Sequence, residues 1–381
     1  MSLSSSFQVD FRHRVTFTRD AFDPANAALA EVLGQSAGRR LIVFIDEGVH
    51  RATLDLGDRL ANYLGARARS GDELPELRMV EIVTGGEEAK NSIDVYEQVL
   101  TATDRHGIDR KSFVLAIGGG AMLDAVGFGA TLAHRGVRLV RMPTTTLAMD
   151  DAAMGVKNGI NQFGKKNFVG TFSVPWAVIA DELFLTTLSD RHFLSGFSEA
   201  VKIACLKAPA LFDQIERDAP RIRARDLTAA MPIISESAAL HLDHITMGGD
   251  PFELGEARPL DFGHWAAHKL ESMSNYTITH GEAVSIGIAL DCEYAVRTNV
   301  LDAAVCARIR ACLHSLALPT WHPLLAQSGQ LARGLEEFRE HLGGELNVTL
   351  LRSIGASTEL HAIDHEIVAA AASALEPRAC P

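Results

Sequence analysis

A chain of 381 residues, 47% hydrophobic and 22% charged, has ordinary globular composition and enough length for two domains, each with its own core. Thirty-six Lys and Arg against 48 Asp and Glu give a net charge of −12, which argues against nucleic acid as a partner. No apolar run reaches membrane-spanning length, residues 1–10 lack a basic-then-apolar leader pattern, and five cysteines (Cys205, Cys292, Cys306, Cys312, Cys380) with no Cys-x-x-Cys argue against a disulfide framework and for a reducing cytoplasm.

Residues 1–185 alternate strand and helix. Arg40–Ile45 is a short apolar run ending in Asp46-Glu47-Gly48, as a buried parallel strand would. Leu54–Leu64 has helical spacing. Met79–Val83 is a second strand, followed by a Gly85-Gly86-Glu87 turn. Ser92–His106 reads as a helix with Ser92 as its cap. Phe113–Ile117 is a third strand, broken by Gly118-Gly119-Gly120, and Ala121–Ala133 returns as a helix. Val137–Met142 is a fourth strand, ended by Pro143. This alternation predicts an α/β, Rossmann-like domain with a mostly parallel sheet over residues 1–185.

The second half changes character. From Asp190 the apolar pattern is helical over 191–208, 210–218, 226–247, 261–274, 280–298 and 302–316, with a late strand-like run at Leu346–Leu351. An all-helical domain over 186–381 is the expectation.

Three glycines between a strand and a helix let backbone approach a phosphate at free helix amides, so Gly118-Gly119-Gly120 is either a phosphate cradle or a tight turn; the spacing is not Gly-x-Gly-x-x-Gly. Asp46 and Glu47 end a strand where an acid could hold a ribose hydroxyl, or simply meet solvent. Pro143-Thr144-Thr145-Thr146 lies at another strand end. Residues 150–161, with Asp150, Asp151, Lys157 and several Gly and Asn, read as a ligand loop, as does Gly164-Lys165-Lys166-Asn167. Only 8 of the 36 cations are lysines, and five of the 8 fall between positions 157 and 207. Glu199 and Lys202 share a helix face, as do His264 and His268; His280 opens another helix. Each alone reads equally well as a structural contact. Together Glu199, His264 and His280 supply one carboxylate and two imidazoles, the donor set of a catalytic zinc with an open position.

These residues resemble a family. From Gly118 to Leu290 the chain is similar to the dehydroquinate synthase-like sugar phosphate cyclases. The resemblance rests on Gly-Gly-Gly-x-x-x-Asp (118–124), Arg135-Gly136, Pro-Thr-Thr (143–145), Asp151 six before Lys157, Gly159-Ile-Asn161, Gly-Lys-Lys-Asn (164–167), Glu199-Ala-Val-Lys202, Phe-Gly-His (262–264) and His-Gly-Glu-Ala-Val (280–284). Upstream, Gly86-Glu87-Glu-Ala-Lys90 resembles a nucleotide contact of that family. The resemblance implies a homodimer with NAD and zinc, acting on a phosphorylated sugar without nucleic acid or membrane partners. It assigns zinc (or cobalt) to Glu199, His264 and His280. It assigns NAD to Asp46, Glu87, Lys90, Gly119, Gly120, Asp124, Thr144, Thr145 and Lys166. Substrate contacts fall to Asp151, Lys157, Asn167, Lys202 and His268, with Asp261 in the same set and Arg135 on a phosphate.

The departures bear on substrate. Asp261 stands where dehydroquinate synthases carry Asn. The lysine that grips a substrate carboxylate there would fall at Asp243; the usual loop arginine is displaced to Arg258 with Ala257 in its place; Phe338-Arg339-Glu340-His341 replaces an Asp-Lys-Lys segment. Asp261 also resembles cyclases of sedoheptulose 7-phosphate, which generally lose the second helix histidine that His268 keeps here. The expected activity is an NAD- and zinc-dependent cyclisation of a heptulose 7-phosphate. The rivals are a valiolone-type cyclase, a metal-dependent polyol or alcohol dehydrogenase of the same architecture, and a non-catalytic binding homologue.

Overall fold

Strand-forming runs dominate the start of the chain. The computed structural model describes residues 2–248, 252, 259–341 and 344–377; Ala257 and Arg258 lie outside them. The described residues contain β1 (Val15–Thr18), β2 (Arg40–Asp46), β3 (Glu76–Val83), β4 (Phe113–Gly118), β5 (Arg138–Pro143), β6 (Lys157–Gln162), β7 (Lys165–Phe172), β8 (Ala177–Asp181), β9 (Val348–Ser353) and β10 (Ala356–Leu360). They fall into two units, Met1–Pro143 with Gly155–Asp181, and Thr144–Met154 with Glu182–Pro381.

In the first unit six strands form one sheet in the order β1-β8-β5-β4-β2-β3, every pair parallel. β2 and β4 are central, and all their residues but Arg40 are buried. That explains continuous apolar runs where a one-faced strand would alternate. From β2 the chain runs outward to β3, then resumes at β4 and continues to β5 and β8 on the other side, where β1, the first strand, forms the edge. The switch point therefore lies between the carboxyl ends of β2 and β4, at Asp46 and Gly118, where open α/β sheets bind ligands.

The four anticipated strands all form. β1 and β8, short edge-side runs that the sequence reading did not pick out, complete the sheet. Residues 157–161 and 164–167, read as loops, instead belong to the antiparallel hairpin β6–β7. Its turn places Phe163 and Gly164 at φ +55° and +71°. Burial of Asn158, Gly159, Ile160 and Asn161 outweighs their weak strand propensity.

The second unit is mainly helical: Asp190–Ser195, Phe197–Lys207, Pro209–Arg223, Leu227–Met247, His264–Met273, His280–Arg297, Ala303–Ser315, Ser328–His341 and His365–Leu375. Two expectations are corrected. The run 191–208 is two helices, broken at Gly196, where any Cβ would collide with Thr146 and the Leu147 amide. The unit is not all-helical, because β9 and β10 form an antiparallel hairpin turned at Gly355, φ +87°. The segment Thr144–Met154 belongs with these helices, since its short π-turn, Ala148–Ala152, packs on Leu227–Met247 and Phe197–Lys207. Among the described residues no helix is long and apolar enough to cross a membrane.

Candidate active site

Glu199 is the centre of the second unit's polar chemistry. It sits on Phe197–Lys207, a helix buried at all but its last residue, and is itself 1% exposed. His264 begins one helix and His280 begins another, the latter fixed by a capping box between Thr279 and Glu282. Both imidazole Nε2 atoms lie 3.4 Å from Glu199 Oε1. One ligand atom from each of the three residues falls within 4.8 Å of the others.

The rings are held by their far nitrogens. His264 Nδ1 lies 3.1 Å from the Phe262 carbonyl, and His280 Nδ1 lies 3.0 Å from Glu271 Oε2. A carbonyl and a carboxylate both require Nδ1–H, which leaves the Nε2 lone pairs turned to Glu199. Glu271 also forms a second possible group with His268 and His280, but its Oε2 lies against His280 Nδ1, and Glu271 reads as the orienting partner of that ring. Neither Glu199 oxygen meets hydrogen-bond geometry with a donor, although Lys202 Nζ sits 2.5 Å from Oε2. A buried carboxylate facing two imidazole lone pairs without aligned donors fits a divalent cation, and the mixed N/O donor set suits zinc or cobalt.

Gly263 makes this placement possible. It adopts φ +79°, and a Cβ there would lie 2.9 Å from the Ile288 backbone nitrogen. Its amide donates to Asp291 Oδ2 at 2.8 Å, and Trp265 Nε1 donates to Oδ1 at 2.8 Å. Burial pushes the Asp291 carboxyl up to about 7 against those two bonds.

Around Lys202 the charges are dense. Asp151 Oδ1 is 3.8 Å from Nζ and 2.9 Å from His241 Nδ1. Burial opposes the charged form of each group, yet the Lys202 ammonium holds the Glu199 carboxyl well below its ordinary range. Glu199 and Asp151 likewise hold the ammonium up, and Lys202 with His241 brings Asp151 to about 2. Asp261 adds to the field on Lys202. Asp150 is different: burial, then Asp151 and Glu199, push its carboxyl well above the ordinary value, and neither oxygen has a hydrogen-bond partner. His268 stacks on His280 with ring centroids 5.9 Å apart. Thr144 is buried, and Thr145 Oγ1 accepts from the Ala148 amide.

In the first unit, Gly119 caps the helix Gly120–Leu132 with its own amide turned to the Asp46 carboxylate, and no cap side chain covers the amides that follow from Gly120, an arrangement that suits an anion. Asp46 abuts Gly118 and Gly85 and accepts from the Gly48 amide at 2.7 Å; burial raises its carboxyl. Lys90 Nζ binds Asp124 at 2.7 Å, so two residues expected on a nucleotide pair with each other. Glu87 accepts from Asn161 at 2.7 Å and lies 4.0 Å from Lys166 Nζ, while Asn161 Oδ1 receives the Asn167 amide at 2.9 Å. Lys157 and Asn167 are exposed, Asn167 at φ +54°. Arg135 is exposed at φ +62°.

The sequence reading missed several groups. Glu271, seven after His264 and three after His268, shares their helix face and was findable by spacing. Arg141, fully buried in β5, donates to the Gly155 and Lys157 carbonyls at 2.8 and 2.9 Å and so fixes the start of β6 beneath Lys157. A charge inside the run Leu139–Met142 was its signal, because a buried guanidinium needs partners. His241 carried no local signal.

Residues 80–195 match the model of the 3-dehydroquinate synthase N-terminal region, and residues 196–338 that of its C-terminal region. The chain belongs to the dehydroquinate synthase-like sugar phosphate cyclases. Among such cyclases it is 31% identical to a 2-epi-5-epi-valiolone synthase of Streptomyces glaucescens over 368 residues, 96% of this chain and 91% of that one. It is 40% identical to a 3-dehydroquinate synthase of Koribacter versatilis over 236 residues, 61% of this chain and 64% of that one. Its fold matches the 2-epi-5-epi-valiolone synthase ValA of Streptomyces hygroscopicus, solved with NAD+ and Zn2+ bound, at a TM-score of 0.88 and 29% identity, covering 98% of this chain and 99% of that one. Glu271 orients His280, an expected metal ligand, and Glu271→Gln should weaken zinc affinity about 10- to 100-fold. Competition with a chromophoric chelator measures it; unchanged affinity would show that the His280 ring is held by packing alone.

Proposed function

We propose that this chain is a phosphate-eliminating lyase that closes sedoheptulose 7-phosphate to a carbocycle, using NAD and zinc. Family membership and the Glu199–His264–His280 arrangement support the cyclase chemistry. The observation that carries the substrate is charge. Around Lys202 stand the carboxylates of Glu199, Asp151 and Asp261, and the adjoining helix Leu227–Met247 contains no Lys or Arg. With a divalent cation bound, this cluster has no surplus positive charge for a substrate carboxylate, while a hydroxyl-bearing end meets acceptors and donors alike.

When bound, NAD supplies reversible hydride acceptance and zinc a Lewis acid that orients hydroxyls. Glu199, His264 and His280 would hold the metal. The turn at Gly119 and Gly120, with Asp46, Glu87 and Lys166, would hold NAD; Lys90 and Asp124 would brace that surface as a pair, with Thr144 and Thr145 adding nucleotide contacts. Lys157, braced through Arg141, would sit with Asn167 and Arg135 on phosphate and oxyanion. Lys202, kept charged by its neighbours, would stabilise negative charge developing on substrate oxygen, and His268 would move a proton. On the resemblance alone, the enzyme is read as a cytoplasmic homodimer.

Phosphate release by protein loaded with zinc and NAD tests this reading, with sedoheptulose 7-phosphate and 3-deoxy-arabino-heptulosonate 7-phosphate run in parallel. The expected result is phosphate from the first, matched by carbocycle, without net NADH. Turnover of the second alone would make the enzyme a dehydroquinate synthase. NADH accumulation without phosphate would make it a dehydrogenase.

A further inference from the structure

His241 lies on the helix Leu227–Met247 and belongs to none of the motifs above. Its Nδ1 is 2.9 Å from Asp151 Oδ1, and Asp151 in turn is 3.8 Å from Lys202 Nζ. A carboxylate on Nδ1 engages Nδ1–H and leaves Nε2, on the opposite side of the ring, as the nitrogen that can meet a substrate group. His241 is only 13% exposed at its side chain, yet among the described residues Nε2 has no protein partner and is not sealed from solvent. The imidazole is therefore built in at one nitrogen and open at the other, next to the ammonium and carboxylates of the cluster. Nothing structural requires that open nitrogen: the helix is formed and packed without it. Asp243, two positions on and so about 200° around the helix, is exposed and does not share this face.

We propose that His241, oriented by Asp151, is a substrate-contacting residue that accepts a hydrogen bond from a substrate hydroxyl and makes the site select a neutral hydroxyl-bearing group over a carboxylate. This rests on the cyclase reading and names a determinant of its specificity. A lone-pair acceptor rewards a donor: a hydroxyl can give Nε2 a proton, whereas a carboxylate brings only lone pairs and added negative charge beside Asp151 and Asp261. The Asp151 contact fixes the ring's orientation, and the proposed role involves hydrogen bonding alone, without any covalent step.

The test is calorimetric titration of the NAD- and zinc-loaded enzyme with sedoheptulose 7-phosphate and with 3-deoxy-arabino-heptulosonate 7-phosphate, for wild type, His241→Ala, His241→Gln and His241→Lys, with zinc content measured in each. His241→Ala should weaken binding of the hydroxyl-bearing ligand roughly tenfold, in line with one lost hydrogen bond to a partly buried acceptor. The other ligand should change by much less, and zinc should be retained. His241→Gln, which keeps a neutral acceptor, should restore most of the preference. His241→Lys should shift the ratio of affinities toward the carboxylate-bearing ligand by about tenfold or more. Equal effects of His241→Ala on both ligands, or loss of zinc with it, would make the residue a structural brace and overturn the proposal. So would an unchanged ratio in His241→Lys. Phosphate release by wild type is read separately: if it fails for both sugars while the binding ratios shift as expected, the cyclase reading falls and the recognition role of His241 stands.

Discussion

Glu199→Ala should empty the metal site and lower phosphate release by roughly three orders of magnitude or more, because the proposed site rests catalysis and metal retention on the same carboxylate. The two remaining imidazoles are 5.5 Å apart between ring centroids and would be left with no third donor between them. Glu199→Gln separates charge from packing. It fills the same space in a helix that is buried nearly all round, so the fold should persist while the anionic ligand is gone. Zinc per protomer, phosphate release and thermal midpoint should be measured together on both variants. Full zinc occupancy and near-normal turnover in Glu199→Gln would show that the cation sits elsewhere, the group His268, Glu271 and His280 being the place to look next.

Much of this site can be read from the chain because its parts lie in short segments with local meaning. Gly118-Gly119-Gly120 had to be a turn between a buried strand and a helix, and the structure places it at the sheet's switch point. Glu199, His264 and His280 are scattered in sequence, yet each sits at a position its own helix determines, and the helix pattern from Asp190 was plain. What resisted reading depends on tertiary burial. The β6–β7 hairpin is built from Lys157-Asn-Gly-Ile-Asn-Gln162, a composition that argues for a loop until Arg141 gives it a bonding partner from another strand. The need for glycine at position 196 comes from Thr146 and Leu147, about fifty residues away in sequence, which leave no room for a Cβ. His241 meets Asp151 across ninety residues, so no spacing rule could pair them. Lys90 and Asp124 were each assigned to a nucleotide, and their mutual bond was invisible for the same reason.

Lys202→Met should show how the metal and the lysine share one electrostatic duty. Methionine keeps most of the stem volume and deletes the ammonium, leaving Glu199, Asp151 and the unpartnered Asp150 together in a buried cluster. In metal-free protein at neutral pH, breaking a buried pair of this kind costs about 3–5 kcal/mol. A divalent cation on Glu199 replaces the missing charge, so zinc should raise the thermal midpoint of the variant more than that of wild type. The sign with pH follows from the same groups. In wild type the Glu199 carboxyl is held well below its ordinary value of 4.5, so its stabilisation is present above that value and lost as pH falls through the lowered one. Without Lys202, burial dominates and raises the carboxyl, so the variant loses stability as pH rises instead. The deficit between the two metal-free proteins should be largest near neutrality and shrink on acidification toward the ordinary carboxylate range. In the proposed mechanism the ammonium also stands beside developing negative charge on substrate, which zinc does not replace, so turnover of the zinc-loaded variant should still fall about 10²- to 10³-fold. Denaturant unfolding of both proteins with and without zinc, at neutral and mildly acidic pH, measures all of this. A metal-free variant as stable as wild type at neutral pH would mean that water, and not Lys202, balances Glu199.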